Sequence, residues 1–418
     1  MNYIRPHFES LKSRLQQSPK FLTVVAGPRQ VGKTTLVRSV LKALGDSPLL
    51  AADNPILEDQ RVISLESQTT SQRRAGLKPN VGWLVEVWEQ ARRRARQRHD
   101  GTNYILAIDE IQKIPEWSGT VKGLWDADRA EDLNLHVVLL GSSPWLMQKG
   151  LTESLAGRFM LLQMTHWAYP EMQAAFDFSL DEYVYFGAYP GAAKLIKNES
   201  DWRSYVRTSL IATAIDTDIL QLTRVDKPAL LKNLFELGCA YSGQIYAYTK
   251  LLQQLHDAGN TTTLTHYLTL LGQAGFITGL SKYTPSAMRQ RASPPKLNAL
   301  NTALISAQAS YQFSEAKADR AYWGRLVEST IGAHLVNSAS ELCKIWYWND
   351  GANEVDFVLT DGRRVLGIEV KSGAKIKNTK GMQMFVQTFP KAKVLVVGAE
   401  GVGLPKFLSH SANEWLAQ

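Results

Sequence analysis

Short apolar runs rich in β-branched residues recur along the first part of the chain, and between them apolar residues return every three or four positions. The first run, Phe21 to Ala26, reads as a buried strand. Leu49 to Ala52, Tyr104 to Ile108, His136 to Leu140 and Phe159 to Met164 read the same way. Residues 1–20, Thr34 to Leu44 and Trp83 to Arg98 carry the spacing of amphipathic helices. Strands alternating with helices predict an α/β fold with a parallel sheet whose ligands lie at the carboxyl ends of its strands.

Farther on the rhythm changes. From Leu180 to about Leu237 it is helical, broken by Gly187-Ala188-Tyr189-Pro190-Gly191, and predicts a helical lid. Thr249 to Leu255 and Thr261 to Ala274 read as helices and Phe276 to Leu280 as a short strand. That order has the shape of a winged helix, with Thr261 to Leu271 in the recognition position and the Tyr283 to Lys296 loop as a basic wing. The last hundred residues or so read as the helix Tyr322 to Val336, the strands Cys343 to Trp348, Glu354 to Leu359 and Val365 to Val370, the helix Lys380 to Thr388, and the strand Val394 to Val397. The expected domains are an α/β core at 1–175, a helical lid at 176–240, a winged helix at 241–312 and a second α/β domain at 313–418.

The turn after the first strand carries chemistry. Gly27-Pro28-Arg29-Gln30-Val31-Gly32-Lys33-Thr34-Thr35 contains G-x-x-x-x-G-K-[ST] between a strand and a helix, the context that a phosphate-binding loop requires. Gly27 and Gly32 allow main-chain N–H groups to approach phosphate oxygens, and the amino end of the following helix adds its dipole. Lys33 would neutralise the β- and γ-phosphates and the Thr34 hydroxyl would ligate Mg²⁺. ATP and Mg²⁺ are therefore the expected cofactors.

Tyr104 to Ile108 ends in Asp109-Glu110, the Walker B arrangement, with Asp109 holding the metal and Glu110 polarising the attacking water. His136 to Leu140 ends in Gly141-Ser142-Ser143, where Ser142 is the candidate sensor of the γ-phosphate. Arg158 precedes the next strand, where ring-forming ATPases often place an arginine that reaches a neighbouring subunit. A surface charge or a salt bridge within the subunit is the alternative for Arg158.

The carboxyl-terminal strands carry a second set of groups. Asp356 is followed thirteen residues later by Glu369-Val370-Lys371, the Asp…Glu-x-Lys pattern of PD-(D/E)xK nucleases. Alternation puts Glu369 and Lys371 on one face, and Glu354 shares the face of Asp356. Asp356 and Glu369 would hold Mg²⁺, Lys371 would position or deprotonate a water, and Glu328 from the preceding helix would be a further ligand. Val355-Asp356 departs from the Pro-Asp that names the motif. The same fold also serves as a binding or assembly platform with its acids intact.

Taken together and in this order, GPRQVGKTT, LAIDEIQKIPEW, LLGSSPWLM, ESLAGRF and GAYPG resemble the AAA+ ATPases of bacteria and archaea that end in a restriction-endonuclease-like region. The resemblance spans nearly the whole chain and implies ATP hydrolysis coupled to conformational change, in a homo-oligomer or ring if Arg158 acts between subunits.

Composition adds partners and compartment. Lys and Arg exceed Asp and Glu by 47 − 39 = 8, a balance that favours nucleic acid, DNA before RNA. Arg92, Arg93, Arg94, Arg96 and Arg98 crowd one helical stretch, with Arg73, Arg74 and Lys78 before it; it is either a solvated face or a phosphate-contacting surface. A second basic patch comprises Arg289, Arg291 and Lys296. No apolar run reaches the roughly eighteen residues of a membrane span, and the amino-terminal residues lack an apolar signal core, so a cytoplasmic protein without membrane contact is expected. Cys239 and Cys343 have no motif spacing and read as buried small hydrophobes. The alternative function is an ATP-driven regulatory switch or assembly protein whose nuclease-like region is inactive and binds a protein partner.

Overall fold

A computed structural model describes residues 3–45, 48–52, 79–98, 102–141, 154–220, 225–254, 260–286, 288, 290, 293–371, 380–398 and 401–418. The chain divides into two compact units, residues 2–164 and 165–418.

The first unit is built on five parallel strands: β1 (Leu22–Ala26), β2 (Leu49–Ala51), β3 (Tyr104–Asp109), β4 (Leu135–Gly141) and β5 (Phe159–Gln163), in the order β2-β3-β4-β1-β5. The central strands are buried on both faces, which is why they read as continuous apolar runs. Leu22 and Val24 point into a cluster with Trp88, Trp117 and Trp125. Val25 faces the opposite side, packing with Val37 and Val40 of the helix Lys33–Leu44 and with Leu11 and Leu15 of the helix His7–Gln16. Inserting β4 between β1 and β3 separates the phosphate loop from the Asp-Glu turn by two strand spacings, roughly 10 Å.

The arginine-rich helix is Val81–Arg96, and most of its described cations are engaged within the fold. Arg92 is buried; its Nε donates to Asp128 Oδ1 at 2.5 Å and its Nη2 to the Leu124 carbonyl at 2.6 Å, while Trp88 Nε1 donates to the other Asp128 oxygen at 2.8 Å. Arg96 pairs with Glu131 at 2.5 Å, Arg94 reaches the Tyr104 hydroxyl, and Arg98 donates to the Asn103 carbonyl at 2.7 Å. Of the two readings of this cluster, the structure supports neither a free phosphate surface nor a purely solvated face, because Arg92 is the centre of a buried ion pair. Arg73, Arg74 and Lys78 lie outside the described residues.

The second unit begins with the short helices Tyr169–Phe176, Leu180–Phe186 and Glu199–Tyr205 and a stretch of π-helical turns at Val206–Ala212 and Ala214–Leu220. The helices Pro228–Ala240, Tyr248–Gln254 and Thr261–Gln273 lead to an antiparallel ribbon of β6 (Ile277–Leu280) and β7 (Lys296–Ala299). After the helix Arg320–Ser338 comes a sheet in the order β11-β10-β9-β8, formed by β8 (Lys344–Asn349), β9 (Glu354–Thr360), β10 (Val365–Lys371) and β11 (Lys393–Gly398), with the helix Lys380–Thr388 before the last strand. The first three of these strands pair antiparallel, and β11 runs parallel to β10.

The two ends of the expected basic wing are held within the fold. Tyr347 N donates to the Ser281 carbonyl at 3.1 Å and Tyr283 N to the Tyr347 carbonyl at 2.7 Å, so the chain leaving β6 joins the edge of the four-stranded sheet at β8. The Tyr283 ring packs 4.9 Å from that of Phe389. Apolar packing and main-chain pairing outweigh solvation of this segment. Lys296 is not the end of an exposed loop but a fully buried residue of β7. Arg289 and Arg291 lie outside the described residues. On the helix Thr261–Gln273 the exposed face presents Thr261, Thr262, Thr265, His266 and Thr269, while Leu264, Tyr267, Leu268 and Leu271 are buried. Cys239 and Cys343 are buried free thiols, and among the described residues no helix is long and apolar enough to cross a membrane.

Candidate functional site

The phosphate loop leaves the carboxyl end of β1 and needs glycine at two places for two reasons. At Gly27 a Cβ would stand 1.9 Å from the carbonyl oxygen of Met164, so only a bare backbone passes. At Gly32 the reason is conformational: φ is 89°, left-handed, and the turn feeds directly into the helix Lys33–Leu44. Gln30 also takes a positive φ of 62° and is exposed, Pro28 and Arg29 are half-buried, and Val31 is buried. Arg5 Nη1 donates to the Val31 carbonyl at 3.1 Å, bracing the loop from the amino-terminal segment. Lys33 is buried, and its Nζ donates to the carbonyls of Gly27 at 2.9 Å and Pro28 at 2.8 Å. Thr35 points outward from the first helical turn.

Two strands away, the end of β3 meets this loop. Thr34 Oγ1 donates to Asp109 Oδ2 at 2.5 Å, and the other Asp109 oxygen accepts from Glu110 N at 2.9 Å. Asp109 is buried. Glu110 adopts φ 53° and ψ 38°, a left-handed conformation that costs a non-glycine residue about 1–2 kcal/mol. That turn directs the chain into the short helix Ile111–Lys113, where Gln112 Nε2 donates to Glu110 Oε2 at 2.6 Å and orients the carboxylate. The structure thus brings together Lys33, Thr34, Asp109 and Glu110.

These residues fit Mg²⁺-ATP. A hydroxyl and a carboxylate in contact are the hard oxygen donors that Mg²⁺ takes, and the buried Lys33 ammonium is held over the loop by two carbonyls that an anion's oxygens can replace as partners. When bound, the metal supplies charge neutralisation between the β- and γ-phosphates.

Ser142, the candidate sensor, lies outside the described residues, directly after Gly141 at the end of β4. Arg158 sits elsewhere in its own subunit. It precedes β5, which runs parallel to β1 with Phe159 opposite Leu22, so Arg158 is at the amino ends of the strands, some 16 Å of chain rise from the phosphate loop. Its guanidinium forks onto Asp126, Nε to Oδ1 at 2.7 Å and Nη2 to Oδ2 at 3.0 Å. This is the salt bridge that stood as its alternative, and hydrogen bonding to Arg158 holds the Asp126 carboxyl below its ordinary range.

In the second unit the pairing of β9 with β10, Phe357 opposite Ile368, brings Asp356 beside Glu369, and Val370 N donates to Asp356 Oδ2 at 2.8 Å. Lys371 Nζ pairs with Glu369 Oε1 at 2.5 Å. Burial, reinforced by the neighbouring Asp356 charge, raises Glu369 to about 7 despite the lysine. The remaining acids meet a cation that sequence reasoning assigned to a loop. Lys296 Nζ lies 2.7 Å from Glu328 Oε1, 3.1 Å from Glu354 Oε1 and 3.4 Å from Asp356 Oδ1. Burial pushes the Glu328 carboxyl well up from its usual range, with Asp356 and Glu354 adding to the shift against the pull of Lys296. These donors as arranged do not fit a divalent ion, since an ammonium already stands among them. Among the described residues no group of three or more His, Cys, Asp or Glu side chains is arranged to hold a metal.

Sequence reasoning missed Lys296, Arg5 and Gln112. The signal for Lys296 was its place at the head of Lys-Leu-Asn-Ala-Leu, an apolar run after Pro294-Pro295 that reads equally as a strand.

Comparison with known proteins places the geometry. The chain is 23% identical over 395 residues to the uncharacterized protein Rv2008c of Mycobacterium tuberculosis, covering 93% of this chain and 78% of that one, and equally to the uncharacterized protein Mb2031c of Mycobacterium bovis. Among solved structures it is similar to a Walker-type ATPase of Pyrococcus abyssi, with TM-score 0.47 and 16% identity over 73% of this chain and 95% of that one. It is also similar to RuvB of Thermotoga maritima, with TM-score 0.32 and 16% identity over 68% of this chain and 90% of that one. Residues 177–315 and 323–406 match two domains of unknown function, DUF8612 and DUF4143. Residues 19–173 match the AAA domain, and with the phosphate loop, the Asp-Glu turn and the β4 insertion in place this part of the chain is an AAA-type P-loop ATPase domain.

Proposed function

We propose that the chain is a Mg²⁺-dependent ATPase that uses ATP turnover as a conformational switch acting on a macromolecular partner, with the carboxyl-terminal region serving in binding or assembly. The observation that carries the reading is the contact of Thr34 with Asp109 beside Lys33, followed by Glu110 held by Gln112. Lys33 neutralises the phosphates, Thr34 and Asp109 hold the metal, and Glu110 accepts a proton from the attacking water. Ser142 senses the γ-phosphate. Lys33→Ala is expected to abolish ATP binding, and Glu110→Gln to retain binding while losing turnover. ATP hydrolysis surviving Lys33→Ala would overturn the reading.

A second reading, action on DNA or another nucleic acid, is favoured by the net charge of +8. The engaged cations of Val81–Arg96 and the uncharged outer face of Thr261–Gln273 weigh toward the switch. ATPase activity stimulated by duplex DNA and falling steeply with salt would establish the second reading; turnover indifferent to every nucleic acid tried would favour the first.

The assembly belongs to the same proposal. A partly exposed pair such as Arg158–Asp126 is weak enough to be exchanged for a neighbour's phosphate, which leaves Arg158 available to act in trans within a homo-oligomer in place of the intrasubunit pairing seen here. Mixing Lys33→Ala with Arg158→Ala subunits tests this: restored activity requires sites shared between chains.

A further inference from the structure

We infer that Lys296 is the resident cation of the carboxyl-terminal carboxylate cluster, standing permanently where a nuclease of this arrangement would carry a divalent metal. The inference rests on residues apart from the ATPase site and is independent of it.

Three elements converge on one ammonium. Glu328 comes from the helix Arg320–Ser338, Glu354 and Asp356 from alternate positions of β9, and Lys296 from β7. The Lys296 side chain is fully buried, and its Nζ also lies 3.3 Å from the Asp356 carbonyl and 5.1 Å from the centre of the Phe357 ring. Carboxylates, a carbonyl and an aromatic face therefore surround the charge on several sides.

The ribbon that delivers Lys296 is held in place by more than the ion pairs. Lys296 pairs with Leu280 in the ribbon and bridges to Ile245 on its other side. Ala299 N donates to Ser242 Oγ at 2.9 Å, which meets Ser329 Oγ at 2.8 Å on the helix that carries Glu328. One turn beyond Glu328, a Cβ on Gly332 would stand 2.2 Å from Asn298 Oδ1 and 2.8 Å from the Phe357 ring. Only glycine lets this helix close onto β7 and bring Glu328 within reach of Lys296. With its backbone fixed by these pairings and its side chain fully buried, the lysine cannot swing away without repacking the residues around it, which is why the cation is resident rather than a plug that opens.

Two consequences follow from charge alone. A divalent ion entering the cluster would face an ammonium among its ligands, so the wild-type chain does not load metal there and does not cut phosphodiester bonds through Asp356, Glu369 and Lys371. Removing the ammonium leaves three carboxylates without their counter-ion, and the vacated position becomes a divalent-cation site.

The test uses the full chain without nucleotide, in an Asp109→Asn background that silences the ATPase metal site, with Mn²⁺ as the probe followed by paramagnetic resonance and calorimetry. The expected result is no Mn²⁺ site of submillimolar affinity in that parent, one such site in Lys296→Met, and its loss in Lys296→Met/Asp356→Asn. In parallel, the wild-type chain is expected not to nick supercoiled DNA with Mn²⁺ or Mg²⁺. Mn²⁺ binding in the parent that Asp356→Asn weakens, or metal-dependent nicking abolished by Asp356→Ala, would overturn the inference, as would a folded Lys296→Met that gains no site. Should Lys296→Met fail to fold, the parent Mn²⁺ titration and the nicking assay decide alone.

Discussion

Thr34 and Asp109, 75 positions apart in the chain, place a hydroxyl and a carboxylate oxygen 2.5 Å from each other across the gap between β1 and β3, which β4 separates. In the proposed reading both donors hold one metal, so removing either leaves the other in place but the ligand set incomplete. Thr34→Ala and Asp109→Asn are each expected to lower kcat on the order of 100-fold or more, while the double variant costs much less than the product of the two. Steady-state ATP hydrolysis measured against Mg²⁺ concentration checks this; fully multiplicative losses would show the two groups acting separately.

Gln112 orients Glu110 through a 2.6 Å hydrogen bond. Gln112→Ala is expected to lower kcat about 10-fold with ATP affinity unchanged, a smaller effect than that of Glu110→Gln, for which removal of a general base costs roughly 100- to 10,000-fold. Equal losses in the two variants would contradict an orienting role.

Gly27 and Gly119 make a controlled pair. A Cβ at Gly27 meets the Met164 carbonyl at 1.9 Å, whereas at Gly119, within the helix Trp117–Ala130, it meets nothing within 4 Å. Gly27→Ala should destabilise by at least about 1–3 kcal/mol, since two backbones must part. Gly119→Ala should be neutral or stabilising by about 0.4–1 kcal/mol. Thermal unfolding of the full chain distinguishes them.

Arg92 and Arg93 are adjacent, yet only Arg92 is buried against Asp128. Arg92→Ala leaves a buried carboxylate unpaired and should cost about 3–5 kcal/mol, whereas Arg93→Ala should stay within about 0.5 kcal/mol of wild type. Denaturant titration of both variants provides the comparison, and equal stabilities would refute the buried pair as a stabilising centre.

His136 is buried in β4 with Nε2 donating to the Gln17 carbonyl at 2.7 Å and Nδ1 buried without a partner. Burial, helped by the positive charge of Arg129, depresses its pKa against the pull of that carbonyl. The folded state therefore binds its second proton less readily than the unfolded state. The stability contributed is present above the ordinary histidine pKa of about 6.5 and is lost as pH falls through and below it. The thermal midpoint is expected to drop between about pH 7 and 5 in the wild type, and less steeply in His136→Gln.

Legibility tracked the range of the interactions involved. The phosphate loop, the Asp-Glu turn and the strands around them were readable because each is a local pattern: buried parallel strands are apolar throughout, and a main-chain anion cradle demands glycine at set intervals. Asp356 beside Glu369 was also readable, because strand alternation and one antiparallel pairing suffice. The burial of Lys296 and the pairing of Tyr283 with β8 were not readable, because neither residue's neighbours in sequence indicate the distant strand it meets.

By itself, then, the sequence determined that a phosphate-loop motif stands at the tip of β1 and that carboxylates line a later sheet, since these follow from residue type and spacing over a few positions. Only the tertiary structure decided which cation those later carboxylates receive, that Arg92 is interior while Arg93 is not, and that Arg158 lies at the far end of its own sheet. Those outcomes depend on charges brought together across tens of residues, and burial changes what a charged side chain can do without changing its letter in the chain.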